Sequence, residues 1–161
     1  MIRSRIWHPK TNTTSQTIYK DHYYVSNLIE KKWLHKLIGT WGNSKYVFKY
    51  TINLNTSIKI LNDEYKELGK IKINFWGTKA KIFIDDKVYQ WNAKNMLRKQ
   101  WHIKSKEQSK ILNDKGQFFS NDLPKNHRGI LNLSGHAVQH FNNHYLVSIF
   151  SFIIGGLLII I

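Results

Sequence analysis

The chain of 161 residues contains no cysteine. Disulfides, thiolate metal sites and cysteine nucleophiles are therefore excluded, while any redox compartment is compatible. Acidic residues are scarce: 10 Asp and Glu stand against 25 Lys and Arg, for a formal charge of +15. Arginine is scarce too, at Arg3, Arg5, Arg98 and Arg128 only, so the positive charge is mostly lysine. Sequence-specific base reading leans on bidentate arginine, and the lysine bias argues against it. No charged residue follows Arg128. Also missing are a GxSxG elbow, a Walker loop, an HExxH pair and a dinucleotide fingerprint. The adjacent acids Asp63-Glu64 and Asp85-Asp86 fall where turns are expected, which gives aspartate a backbone role. We therefore expect no enzyme, no cofactor and no small-molecule substrate.

What is present is a basic body followed by a neutral, increasingly apolar tail. The first residues, MIRSRIWHPKTNTTS, carry positive charge without an apolar stretch behind it. That pattern does not fit a cleaved secretory signal, so a cytoplasmic body is expected. Residues 1–16 read as an N-terminal extension and 17–161 as one domain, long enough to bury roughly two-thirds of its unfolded surface. A surface this basic attracts polyanions: anionic lipid, nucleic acid or acidic protein. The Lys, Asn and Ile richness also has a plain compositional source in AT-rich codons.

The body reads as antiparallel β structure. Ile71, Ile73 and Phe75 alternate with Lys70, Lys72 and Asn74, and Ala80, Ile82 and Ile84 alternate with Lys79, Lys81 and Phe83. Period two of this kind marks half-buried strands. Turns are expected at Gly77-Thr78, Asp85-Asp86-Lys87 and Asn113-Asp114-Lys115-Gly116, where Asx and glycine supply positive φ. Further strands are expected at Tyr23–Leu28, Tyr46–Ile52, Ser57–Leu61 and Gly129–Leu133. Leu28–Ile38 fits either a helix or a strand pair. Many short strands with tight turns point to a sandwich or a closed barrel.

Tyr145–Ile161 is uncharged and apolar on all sides, and such a helix must be buried in lipid or in protein. At about 1.5 Å per residue it would be roughly 25 Å long, the short end of a bilayer span. Gly155-Gly156 needs a packing reason, which barrel strands or a helix partner in a bilayer would supply. The run closes on Leu157-Leu158-Ile159-Ile160-Ile161 without a polar flank, which favours a helix threaded through a barrel over a bilayer anchor.

The series GKIKINFWGTKAKIFIDDKVYQWNAKN (69–95), then Trp101-His102-Ile103, LNDKGQFF (112–119) and GILNL (129–133) leading into the apolar run resembles the tubby C-terminal-like superfamily. The likeness is to its LURP-one-related and scramblase-like branch, in pattern and order over roughly Tyr46 to the end. That resemblance implies a closed antiparallel β-barrel threaded by a hydrophobic C-terminal helix, with membrane or phosphoinositide binding as its theme. No lipid-binding residue carries over.

Several local patterns are candidate sites. Lys70, Lys72, Lys79 and Lys81 form a basic stripe suited to lipid or polyanion contact, against the alternative of a solvated face. His136, His140 and His144, spaced by four, would share a face if a helix began near Gly135, and adjacent pairs suit zinc. No carboxylate lies in that stretch, and Asn142-Asn143 suggests a helix break before Tyr145, so no metal is assigned. Trp33, Trp41, Trp76, Trp91 and Trp101 suit a barrel core or its ends, a membrane interface, or base stacking. Three readings follow. The first is a non-enzymatic tubby-like barrel at an anionic membrane surface. The second is a tail-anchored membrane protein with a basic cytoplasmic domain, and the third is a nucleic-acid-binding barrel.

Overall fold

The computed structural model describes the backbone over residues 15–20, 23–31, 35–51, 56–94, 100–107, 110–119 and 123–158, and the side chains over 28–30, 35–51, 56–94, 100–107, 110–119 and 123–144. Among the described residues ten strands precede one long helix. They are β1 (Ser15–Lys20), β2 (Tyr23–Lys31), β3 (Lys36–Trp41), β4 (Ser44–Thr51) and β5 (Ser57–Asn62). After them come β6 (Glu67–Ile73), β7 (Lys79–Ile84), β8 (Lys87–Ala93), β9 (Trp101–Lys104) and β10 (Leu112–Asn113). Each pairs antiparallel with its sequence neighbour, giving one sheet in the order β1 to β10. The extension expected over 1–16 ends earlier, since Ser15 already pairs with Ile29; residues 1–14 lie outside the described residues.

The expected hairpins are present. Ile71 pairs with Ile82 and Ile82 with Tyr89, so the apolar faces of β6, β7 and β8 line one side in register. Gly77 and Asp85 turn the chain with positive φ of 62° and 50°. Leu28–Ile38 resolves into the end of β2 and the start of β3, with 32–34 outside the described residues.

The sheet curls around the helix α1 (Lys125–Leu158). α1 touches β2, β3, β4, β7 and β9. In a flat sheet β2 and β9 would lie about 34 Å apart at about 4.8 Å per strand, beyond the reach of one helix. The expected closed barrel is not formed, because no pairing joins β1 to β10 among the described residues. β10 is only two residues long, and the chain beyond it turns back at Gly116 to bridge Leu112 with Phe118. Phe118 then meets Trp41 of β3 edge-on, with ring centroids 6.3 Å apart. Side chains, and no strand ladder, draw the two sides of the curl together there.

The helix departs most from expectation. It starts at Lys125, twenty residues ahead of Tyr145, and includes Gly129–Leu133, which was expected as a strand. Pro124 precedes it, a residue that suits helix starts because it lacks the N–H left unpaired there. Residues 129–139 are buried on every side, and Ile130, Leu131, Leu133, Ala137 and Val138 are at most 5% exposed. A helix wrapped by a sheet has no solvent face, so its sequence shows no apolar stripe of period 3.6. Glycines allow the close approach. A Cβ on Gly129 would lie 2.6 Å from the Trp41 ring, and one on Gly135 would lie 2.2 Å from the Trp101 ring. The part of the tail that fills the curl is therefore 125–142, and Tyr145–Leu158 is not what threads it.

The start of α1 is fastened to the β7–β8 turn. The carboxylate of Asp85 can only accept, so His127 Nε2–H donates to its Oδ2 at 2.9 Å, and His127 Nδ1 accepts from the Tyr89 hydroxyl at 2.8 Å. Burial and the nearby Asp85 and Glu107 carboxylates raise the Tyr89 pKa. Deeper in, Trp101 Nε1–H donates to Gln139 Oε1 at 3.3 Å. The expected break at Asn142-Asn143 does not occur. Asn142 Nδ2 instead donates to the Gly77 carbonyl at 2.7 Å, so the amide serves a turn and the helix continues to Leu158.

Candidate functional site at the upper rim

In an antiparallel meander successive connections alternate between two rims. The β3–β4, β5–β6 and β7–β8 turns make the lower rim; the β2–β3, β4–β5, β6–β7 and β8–β9 connections make the upper one. α1 begins at the lower rim, beside Asp85, and by Asn142 it has reached the upper rim, beside Gly77. Sixteen residues of α1 remain after Asn142, about 24 Å of helix at about 1.5 Å per residue. The uncharged segment Tyr145–Leu158 therefore runs on from the rim. Among the described residues no helix is long and apolar enough to cross a membrane; the described side chains stop at His144, before that segment.

Phe75 and Trp76 cap the β6–β7 hairpin at the same rim. They are 69% and 70% exposed and pack edge-on, with centroids 5.2 Å apart. They share a turn with Gly77, the residue that Asn142 holds. The other tryptophans divide: Trp91 and Trp101 are fully buried core, Trp41 is partly buried at the lower end, and Trp7 and Trp33 lie outside the described residues.

The lysine stripe is real as a placement and wider than expected. Lys70, Lys72, Lys79 and Lys81 all point outward and are exposed, and Lys72 pairs directly with Lys81. The register also sets Lys36 opposite Lys49, Lys49 opposite Lys59, and Lys59 opposite Lys70, a lysine row across four strands. Directly opposed like charges destabilise a sheet. Partial relief comes from Glu67, 3.0 Å from Lys59, and from Tyr65, whose hydroxyl accepts from Lys36 at 3.3 Å. These lysines sit at or above the middle of their strands, towards the upper rim. Asp63, Glu64, Glu67, Asp85, Asp86 and Glu107 gather at the lower rim instead. On the outer face, burial and Lys104, Lys94 and Lys110 lower the His102 pKa.

The three histidines do not act as one set. Four residues of α-helix turn about 40° past a full circle, so His136 and His144 point about 80° apart. His136 is buried edge-on against Trp101, with centroids 5.1 Å apart. His140 and His144 instead lie ring beside ring, tilted by 51° with centroids 4.5 Å apart, and face Glu30 of β2. Glu30 Oε2 lies 3.2 Å from His140 Nε2 and 3.9 Å from His144 Nε2, with the Glu30 side chain only 6% exposed. The Tyr50 hydroxyl hydrogen-bonds Glu30. Burial first, and then that carboxylate, push the Tyr50 pKa up to about 12. Glu30 was missed in the sequence because it is far from the histidines along the chain; its one signal there is an acid directly after the apolar pair Leu28-Ile29.

Comparison with family models, with curated proteins and with solved structures finds no match for this chain.

Proposed function

We propose that this protein is a membrane-attached, non-enzymatic β module that seats its upper rim on an anionic bilayer. The observation that carries the reading is the course of α1. Its first half is the core of the curled sheet, and its second half, apolar in sequence, continues past the upper rim. About 21 Å of helix from Tyr145 to Leu158 would reach through roughly two-thirds of a hydrocarbon core about 30 Å thick. Phe75 and Trp76, exposed at that rim, suit the interfacial zone where aromatic rings partition. The lysines behind them suit anionic headgroups, at about 1 kcal/mol for each lysine near the surface.

This reading joins two of the expectations from sequence, the anionic-surface contact and the anchor, in one end-on geometry. It keeps the tubby-like assignment as a proposal, supported by the order of elements: an antiparallel meander, then a helix lodged in its concave face. A nucleic-acid role would use the lysine rows but leaves the apolar helix unexplained, so we rank it below.

Flotation with vesicles tests the reading. We expect co-flotation with anionic vesicles that resists alkaline carbonate, and loss of that resistance in Ile153→Asp, since a central aspartate costs about 2.5–3.5 kcal/mol in a bilayer helix. Complete release of the parent protein by carbonate, or an Ile153→Asp variant that floats as the parent does, would overturn the anchor.

A further inference from the structure

We infer that Glu30, His140 and His144 form a binding site for a zinc-type divalent transition metal at the mouth of the curl. The donor atoms converge: one oxygen of the Glu30 carboxylate and one nitrogen of each imidazole lie within 4.8 Å of one another. A tetrahedral ion with bonds of about 2.0–2.1 Å needs donors about 3.3–3.4 Å apart. Two edges of the triangle already measure 3.2 and 3.9 Å. His140 and His144 are one helical turn apart, the spacing that puts two imidazoles on one face. Two neutral imidazoles and a carboxylate suit zinc, and a fourth position is left for water.

The surroundings fit a metal as well as the ligands do. Glu30 and His140 are largely buried, at 6% and 14% side-chain exposure, while His144 at 52% opens the site to solvent. His140 Nε2 and Glu30 Oε2 lie side by side at 3.2 Å in this largely buried setting. An ion between the two would engage both sets of lone pairs. The Tyr50 hydroxyl on Glu30 fixes the carboxylate in the way outer-shell partners orient metal ligands. Bound there, the metal would tie β2 to α1, close to the open side of the sheet. This site does not depend on the membrane reading, since Glu30 belongs to the sheet and both histidines precede the apolar segment that begins at Tyr145.

Titration of the full-length protein with Zn²⁺ alone, followed by calorimetry and by thermal melting, tests the site. We expect saturable binding of a single ion per chain. Co²⁺ bound in its place should give the intense visible absorption of a four-coordinate N/O site. His144→Ala, at the half-exposed ligand, should weaken zinc at least tenfold while leaving the metal-free melting temperature unchanged. Glu30→Gln should weaken zinc as much, and His102→Asn, on the outer face, should leave affinity unaltered. Absence of saturable binding in the parent would overturn the proposal, leaving Glu30 and the histidines as an ion pair only. Binding that survives in His144→Ala would overturn it equally, by placing the ion elsewhere.

Discussion

Gly135→Ala separates two physical effects of opposite sign. In an exposed helix the change would stabilise by about 1 kcal/mol, because alanine is the better helix former. Here the new Cβ would lie 2.2, 2.5 and 2.8 Å from three atoms of the Trp101 ring. Carbon atoms pack at about 3.5–4.0 Å, so the indole would have to retreat by about 1.3 Å. It has little freedom to do so. Trp101 is fully buried, its N–H is bonded to Gln139, and its ring is packed against Trp91 at 6.3 Å and His136 at 5.1 Å. Overpacking of this kind costs about 1–3 kcal/mol. With a retreat of more than an ångström the upper part of that range applies, and we expect a net loss of about 1–2 kcal/mol. At about 2–4 °C per kcal/mol for a chain of this size, melting followed by tryptophan fluorescence resolves it. In a Trp101→Leu background the sign should reverse, and Gly135→Ala should stabilise. Asn143→Ala, exposed on the same helix, should gain a few tenths of a kcal/mol in either background. A Gly135→Ala protein as stable as its parent would refute the close packing of α1 on β9.

Three further outcomes follow from the same geometry. His127→Ala leaves the buried Tyr89 hydroxyl without its acceptor and should cost about 1–3 kcal/mol in urea unfolding; Asp85 adds little, being 68% exposed. Tyr50, with its pKa pushed up to about 12, favours the folded state through its neutral form. That contribution is complete below the unfolded value of about 10 and is lost as pH rises towards 12. The ultraviolet titration difference between the parent and Tyr50→Phe should therefore centre well above 10, and Glu30→Gln should lower it only in part, because burial is the larger cause. Lys70→Glu with Lys72→Glu should reduce co-flotation with anionic vesicles and leave melting within about 0.5 kcal/mol, as expected for exposed positions; equal flotation would remove the outer lysines from the membrane contact.

The sheet was legible where each residue has one wet and one dry side. β6 and β7 alternate cleanly, and the glycine and aspartate turns between strands use local backbone chemistry, so both could be read from the chain. α1 could not. Wrapped by strands, it carries Asn132, Ser134, His136 and Gln139 inside the protein, and these polar residues hid a buried helix behind the look of an irregular segment. Gly-Ile-Leu-Asn-Leu is short and apolar enough to pass for a strand, but Gly129 is there to admit Trp41. The lysine row and the Glu30 cluster depend on register and curl, which no local pattern encodes. Lys36, Lys49, Lys59 and Lys70 come from four separate strands, and Glu30 meets its histidines only because β2 bends around the helix.

The continuity of α1 has a mechanical consequence. A helix that is sheet core at one end and leaves the rim at the other is a rod with a keyed shank. Advancing it by one residue would shift it about 1.5 Å and turn it about 100°. Gly129 and Gly135 would then leave Trp41 and Trp101, and bulkier residues would take their places against the indoles. The rod can neither slide nor rotate in small steps. Tension applied beyond His144 is borne by the core, and the sheet yields only by releasing the whole helix.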